Sequence, residues 1–309
     1  MAKRYLITGG AGFIGSNLAD KLIEEENEVL IIDNLYAGKK ANINPSARFH
    51  QLDICDYEKI RTLFRGIDCV FHLAAVPRVP FSIEDPISTS KVNILGTVNV
   101  FKAAADAKVK RIVFASSSSV FGPQPKLPFK EDMEPNPISP YGLQKLVGEQ
   151  FAKMFSEIYK TEIICLRYFN VYGPRIDFDS DYSLVLGKFL RLHKENKPLT
   201  IYGDGEQTRA FCYIDDVVEA NIKASESPNL KAFEVINIGQ EKSYSINYLA
   251  RLIGGSVAYL PPRQGDPKNT QADITKAKAL LSWQPTVDFK EGVDKTKEWF
   301  VLQYDQEEN

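Results

Sequence analysis

The segment Arg4–Asp33 leaves this chain the fewest choices of fold. Arg4-Tyr-Leu-Ile-Thr8 is a short apolar run and reads as a buried strand. It passes into Gly9-Gly-Ala-Gly12-Phe-Ile-Gly15, after which Ser16-Asn-Leu-Ala-Asp-Lys-Leu-Ile23 has helical spacing. Glycines at 9, 12 and 15 allow a tight turn and let backbone approach a pyrophosphate at the helix N-terminus. The pattern is G-x-x-G-x-x-G rather than G-x-G-x-x-G, with Gly10 adding freedom to the turn. The next apolar run, Val29-Leu-Ile-Ile32, ends in Asp33, an acid placed to accept hydrogen bonds from adenosine ribose hydroxyls and to repel a 2′-phosphate. The unit therefore predicts NAD binding in preference to NADP. Lys39 and Lys40, the cations nearby, read as solvated loop charges.

Apolar strands and helical patterns alternate through the first half. Strands are expected at 4–8, 29–33, 48–53, 68–73, 111–115 and 162–168, with helices over Val92–Ala107 and Tyr141–Tyr159 among those between. Such alternation predicts an α/β fold, a doubly wound parallel Rossmann sheet that takes ligands at the carboxyl ends of its strands. Beyond Arg167 the texture changes to short strands, loops and helices. We expect a Rossmann domain over 1–170, segments near 210–240 returning to it, and a smaller α/β substrate domain over 171–309.

Charge and cysteine usage exclude several function classes. Lys and Arg total 38 against 40 Asp and Glu, a net charge of −2 that gives no electrostatic case for nucleic acid or an anionic membrane. No apolar run approaches the ~18–20 residues of a membrane span, and the chain opens on a strand, so neither a span nor a signal peptide is expected. Cys55, Cys69, Cys165 and Cys212 are scattered, with no metal spacing, which reads as reduced thiols in a cytoplasmic protein. His50, His72 and His193 fit no ligand or triad pattern and read as structural.

Ser139 is a good N-cap and Pro140 a good first helical residue, so a helix starts just before Tyr141. Tyr141 and Lys145 then share one helix face, about 6 Å apart. A cation beside a phenol favours the phenolate, which would bring the tyrosine down from its ordinary ~10 and allow it to act as a base. Upstream, Ala115-Ser-Ser-Ser-Ser119 ends a buried strand and offers hydroxyls to the same substrate oxygen.

With these residues in place, the chain resembles the extended short-chain dehydrogenase/reductases, and among them the nucleotide-sugar 4-epimerases acting on UDP-glucose or UDP-N-acetylhexosamines. The segments that carry the resemblance are Thr8-Gly-Gly-Ala-Gly-Phe-Ile-Gly15, Ile32-Asp-Asn-Leu35, His72-Leu-Ala-Ala75, Phe114-Ala-Ser-Ser-Ser-Ser-Val-Phe-Gly122, Ser139-Pro-Tyr-Gly142, Leu166-Arg-Tyr-Phe-Asn-Val-Tyr-Gly-Pro174 and Arg263-Gln-Gly-Asp266. It implies Ser117, Tyr141 and Lys145 as catalytic residues, with Lys145 also on the nicotinamide ribose. It implies NAD contacts from Gly9, Gly12, Phe13, Ile14 and Gly15, from Asp33 and Asn34, from Asp53 and Ile54, and from Leu73, Ala74 and Ala75. Ser118 and Ser119 would meet the sugar. Asn170, Arg209, Arg263 and Asp266 would grip the diphosphate and uridine.

The implied reaction is reversible 4-epimerisation through a transient 4-keto sugar. Related dehydratases carry an Asp-Glu pair where this chain has Ser118 and Ser119, and related decarboxylases carry a Glu in the same loop. Uronate epimerases resemble the chain but have Thr in place of Asn170. Thr270 would bound the pocket at carbon 2, where a small residue admits an N-acetyl group, and Pro80-Phe-Ser-Ile-Glu-Asp-Pro86 resembles the subgroup acting on such sugars. This favours UDP-GlcNAc/UDP-GalNAc, with a strict UDP-glucose epimerase, a UDP-uronate epimerase or a non-catalytic NAD-binding protein as alternatives. Two departures stand out. The subgroup has Ser-Val-Pro-Arg where this chain has Arg78-Val-Pro-Phe81, and Arg-Asp where it has Arg209-Ala210. A homodimer is expected through the helices 92–107 and 141–159, with Val98, Phe101, Phe151 and Phe155 as candidate outward positions.

Overall fold

Seven parallel strands form the central sheet of the computed structural model, which describes residues 2–178, 183–262 and 268–307. They are β1 (Arg4–Thr8), β2 (Glu28–Asp33), β3 (Arg48–Gln51), β4 (Cys69–His72), β5 (Arg111–Ser117), β6 (Glu162–Tyr168) and β7 (Phe233–Ile238). Their order across the sheet is β7-β6-β5-β4-β1-β2-β3. The direction of winding reverses between β1 and β4, and ligands of such sheets bind in the crevice outside the strand ends at that point. The strands are apolar and several are buried along their whole length, β5 from Arg111 to Ser117, because helices cover both faces.

One core lies between the sheet and α1 (Phe13–Glu24), through Leu18, Ala19 and Leu22, and extends to Val217 and Ala220 of α4 (Ile214–Glu226). The opposite face is closed by α2 (Thr97–Asp106) and α3 (Pro140–Tyr159), through Val100, Phe101, Ala104, Ala152 and Phe155. β7 and α4 come from the C-terminal half yet belong to the sheet layer, with β7 in register against β6 from Phe233–Ile163 to Ile238–Tyr168. The remaining C-terminal elements share the core of the α1 face, through Phe189, Leu199, Leu249 and Ile253. Among them Leu199–Tyr202 pairs in parallel with Val257–Leu260, and Thr208–Arg209 pairs antiparallel with Tyr244–Ser245.

Four elements differ from the sequence expectation in ways that shape the site. β3 and β4 stop at Gln51 and His72, so Asp53 and Leu73 stand on loops at the carboxyl edge. β5 runs on to Ser117, which places that serine on the last strand position. The helix expected over 92–107 is a short helix Pro86–Ser90, a wide π-type turn Lys91–Gly96 and then α2. There Asn93 turns inward, accepting from Val76 N at 2.8 Å and donating to Gln144 at 2.7 Å on α3.

Candidate active site

α3 begins as its sequence dictates. Ser139 Oγ accepts from Gly142 N at 3.1 Å, and Pro140 occupies the first turn. Gly142 and Gly148 let the helix lie close on β5, since a Cβ on Gly142 would stand 2.5 Å from the Ser119 carbonyl oxygen and one on Gly148 2.6 Å from the Phe114 ring. Lys145, on the same face between them, reaches the sheet and donates to the Ala115 carbonyl at 2.7 Å. Tyr141 is fixed at its backbone, its N–H donating to Ser82 Oγ at 3.1 Å. Ser117 is hydrogen-bonded to Tyr141 at its side chain, and its Oγ also accepts from Ser119 N at 3.1 Å. Ser117, Tyr141 and Lys145 are thus brought together at the end of β5.

Their electrostatics run opposite to the sequence expectation. Burial pushes the Tyr141 phenol up to about 12, against the pull of its hydrogen bond with Ser117. Burial pushes Lys145 down to about 8, while Cys165 and Glu149 act the other way. Lys145 Nζ lies 5.9 Å from the Tyr141 ring centroid and spends a proton on a carbonyl.

A buried ionic cluster that sequence reasoning missed lies behind this trio. Glu149, one turn beyond Lys145, takes both forks of Arg167 at 2.9 and 2.7 Å, and Ser116 Oγ donates to it at 2.5 Å. The Arg167 and Glu149 side chains are 4% and 5% exposed. The cluster joins α3 to β5 and β6 directly beneath Ser117. Only the position of Glu149 four residues after Lys145, on the same face, could have signalled it. His72 is structural as expected, bridging Thr8 at 2.7 Å and Thr97 at 3.0 Å, with burial pushing it down to about 3.

At the switch point the glycine loop forms a cradle that fits a dinucleotide. Gly9 has φ +76°, and a Cβ there would stand 2.7 Å from Ala74 N. A Cβ on Gly15 would stand 2.2 Å from the Gly9 carbonyl oxygen. Gly12 caps α1 without any side-chain hydrogen bond, so the first-turn N–H groups are available to an anion. Asp33 is buried and accepts from Ala11 N at 3.0 Å and Leu35 N at 2.8 Å, each carboxylate oxygen keeping a further lone pair. Asp53 is resisted by burial but held below the ordinary carboxylate range by the Cys55 N–H at 2.7 Å and the Asn34 amide at 3.2 Å. Leu73, Ala74 and Ala75 follow β4 beside Thr8, and Phe13, Ile14 and Ile54 lie at the same edge.

On the loop leaving β6, Asn170 (φ +35°) meets Thr270. Asn170 Nδ2 donates to the Ala210 carbonyl at 3.2 Å and to Thr270 Oγ1 at 3.3 Å. Arg209 is buried, and its guanidinium donates to the carbonyls of Thr208 at 2.9 Å and Lys268 at 3.2 Å. Arg263 and Asp266 lie outside the described residues. Arg78 forms an ion pair with Asp177, across from the loop after β4 to the segment after β6. Of the four apolar positions expected at a dimer face, Phe101 and Phe155 are instead buried in the core, because that side of each helix faces the sheet. Val98 and Phe151 are partly buried against the same core, and the exposed apolar positions are Leu143, Met154 and Ile158 on α3, with Ile87 and Leu95 on the segment before α2. Among the described residues no group of His, Cys, Asp and Glu could hold a metal ion.

Comparison with known proteins agrees with this geometry. The profile of the NAD dependent epimerase/dehydratase family matches residues 5–239. A putative UDP-glucose 4-epimerase of Methanocaldococcus jannaschii is 41% identical over 304 residues, covering 95% of this chain and 97% of that protein. A UDP-glucuronic acid decarboxylase of Xenopus tropicalis is 34% identical over 318 residues, covering 99% of this chain and 74% of that protein. A solved structure of a UDP-N-acetylglucosamine 4-epimerase from Methanobrevibacter ruminantium, in complex with UDP-N-acetylmuramic acid, superposes with a TM-score of 0.93 at 38% identity, covering 98% of this chain and 99% of that one. With its sheet reversal, glycine cradle and the acid that ends β2, the chain belongs to the NAD dependent epimerase/dehydratase family and is an NAD-dependent enzyme of the epimerase class.

Proposed function

We propose that the protein interconverts UDP-hexoses epimeric at carbon 4, favouring UDP-GlcNAc/UDP-GalNAc and accepting UDP-glucose/UDP-galactose more weakly. The observation that carries this reading is the neutral turn after β5. Ser117, Ser118 and Ser119 are the side chains at the strand end beside Tyr141, and no carboxylate stands among them to drive elimination or decarboxylation. A resident NAD supplies the oxidising and reducing power at carbon 4. Tyr141 removes the proton of the 4-hydroxyl and returns it, Ser117 holds the same oxygen, and Lys145 steadies the charge. A cation bound beside Tyr141 would favour the phenolate against the burial that raises it.

Thr270 supports the N-acetyl preference. It is a small side chain, 5% exposed, held by Asn170, where a tyrosine would fill the space beside the sugar. A strict UDP-glucose epimerase is the second reading. Purified protein incubated without added NAD, with UDP-GlcNAc and with UDP-glucose, and followed by proton NMR, tests both. The galacto epimer is expected from each, faster from UDP-GlcNAc. Tyr141→Phe should stop turnover with NAD still bound, and Thr270→Tyr should impair the N-acetylated substrate selectively. Wild-type turnover by Tyr141→Phe would sink the mechanism, and equal losses in Thr270→Tyr would remove the pocket argument.

We also propose a homodimer that buries Leu143, Met154 and Ile158 of α3 together with Ile87 and Leu95. The four cysteines are free thiols, in keeping with a cytoplasmic location that cell fractionation would test.

A further inference from the structure

Gln144 has a role that neither the cofactor cradle nor the catalytic trio explains. It stands on α3 between Tyr141 and Lys145 and is 2% exposed, yet its amide is fully partnered. Oε1 accepts from Asn93 Nδ2 at 2.7 Å, and Nε2 donates to Thr89 Oγ1 and to Ser90 Oγ, each at 3.0 Å. The backbone fixes which way this amide points. Asn93 Oδ1 takes the Val76 N–H at 2.8 Å, and Asn93 Nδ2 gives one proton to the Val76 carbonyl at 3.1 Å. Its other proton meets Gln144 Oε1, which leaves both N–H bonds of Gln144 for the two hydroxyls. Asn93 comes inward on the wide turn Lys91–Gly96, and Thr89 and Ser90 end the short helix before it.

Two buried polar anchors therefore hold α3. Glu149 binds Ser116 of β5 and Arg167 of β6, whereas Gln144 binds the segment before α2. At about 100° of turn per residue the two anchors point about 140° apart, with Tyr141 and Lys145 between them. Apolar packing is non-directional and leaves a helix some freedom to roll about its axis, which directional hydrogen bonds on opposite flanks remove. A tyrosine oxygen stands about 9 Å from its helix axis, so a roll of about 7° carries it about 1 Å. A misplacement of that size can cost on the order of 100-fold in rate.

We infer that Gln144 is a positioning residue that, opposed to Glu149, fixes the roll of α3 and with it the place of the Tyr141 oxygen beside Ser117. This rests on the reading of Tyr141 as the base of a UDP-hexose 4-epimerase.

The test uses NAD-loaded full-length protein. Gln144→Met keeps the bulk of the side chain and removes its hydrogen bonds. Its kcat per bound NAD should fall on the order of 10–100-fold, while KM for UDP-GlcNAc or UDP-glucose, affinity for UDP and the amount of bound NAD stay as in wild type. A merely structural role would lower the folded fraction, which counting by bound NAD removes, or weaken binding together with turnover. The second measurement combines Gln144→Met with Glu149→Gln. Because losing either anchor frees the same roll, the double variant should lose far less than the product of the two single losses. In crystals of NAD-loaded Gln144→Met the Tyr141 oxygen should stand about 1 Å from its wild-type place. Unchanged kcat, KM rising in step with the fall in kcat, losses that multiply in the double variant, or an undisplaced Tyr141 oxygen would each overturn the inference. Should the double variant not fold, the single variant's kinetics and structure decide. If wild type turns over no UDP-hexose, the reaction assigned above fails, and the crystallographic displacement still decides the role of Gln144.

Discussion

Glu149→Gln should be among the most damaging changes to this protein although the residue touches neither cofactor nor substrate. The side chain keeps its size, but its amide end can no longer satisfy both forks of Arg167, and a donor is turned toward a donor. Arg167 and Glu149 are 4% and 5% exposed, so water cannot take over. Breaking a buried pair by removing one partner costs about 3–5 kcal/mol. For 309 residues at ~2.1 cal/mol/K of unfolding entropy each, that corresponds to a Tm lower by roughly 5–8 °C. Because the cluster also fixes α3 against the end of β5, the spacing of Tyr141 and Ser117 should loosen and kcat fall on the order of 10–100-fold. Urea unfolding gives the stability, and the NMR assay gives the rate. Replacing both partners, Glu149→Leu with Arg167→Met, should recover roughly half or more of the lost stability, since neither charge is then stranded. A loss below ~1 kcal/mol in Glu149→Gln, or a double variant as damaged as the two singles combined, would refute the reasoning.

Other consequences follow from single positions. Gly15→Ala sets a Cβ against the Gly9 carbonyl at 2.2 Å and Gly10 Cα at 2.8 Å, both backbone, so the cradle should open and the purified protein carry little NAD by absorbance and chromatography; a full complement would contradict it. Lys145, held near 8, should impose an alkaline limb on kcat/KM near that pH as its charge is lost, and Lys145→Arg should move the limb upward if the variant is active. The same shift has the opposite sign for stability. Between about 8 and the ordinary 10.5 the unfolded chain holds the proton more tightly, so this group's contribution to stability rises with pH across that window. Ile158, 62% exposed on α3, predicts that Ile158→Glu sediments as a monomer with unchanged unfolding while wild type sediments as a dimer; a dimeric variant would place the interface elsewhere.

Much of the site was legible because its chemistry is local in sequence. The glycine spacing at 9, 12 and 15, the acid ending β2 and the capped start of the Tyr141 helix each depend on backbone conformation within a few residues, and such requirements leave their mark on residue type. The parallel sheet was legible for the same reason, as alternating periodicity. Segregation of the dimer candidates was not, since Phe101 and Phe155 have the same apolar character as Ile87 and Ile158. Only the packing of α2 and α3 on the sheet says which side faces inward.

What the chain's sequence determined by itself was the architecture, the glycine cradle and the spacing of Tyr141 and Lys145 on one helix face, all written in short-range patterns, whereas Ser117 was singled out by the family resemblance. Tertiary structure decided the electrostatics and the long-range pairings. Burial raises Tyr141 against its hydrogen bond with Ser117 and lowers Lys145 against Cys165 and Glu149, while Lys145 donates a hydrogen bond to the Ala115 carbonyl. Glu149 finds Arg167, and Arg78 finds Asp177, across separations that no local pattern encodes. Desolvation and pairing depend on what the whole fold brings to a point, and for that reason the sequence could name the groups of this site but not their charge states.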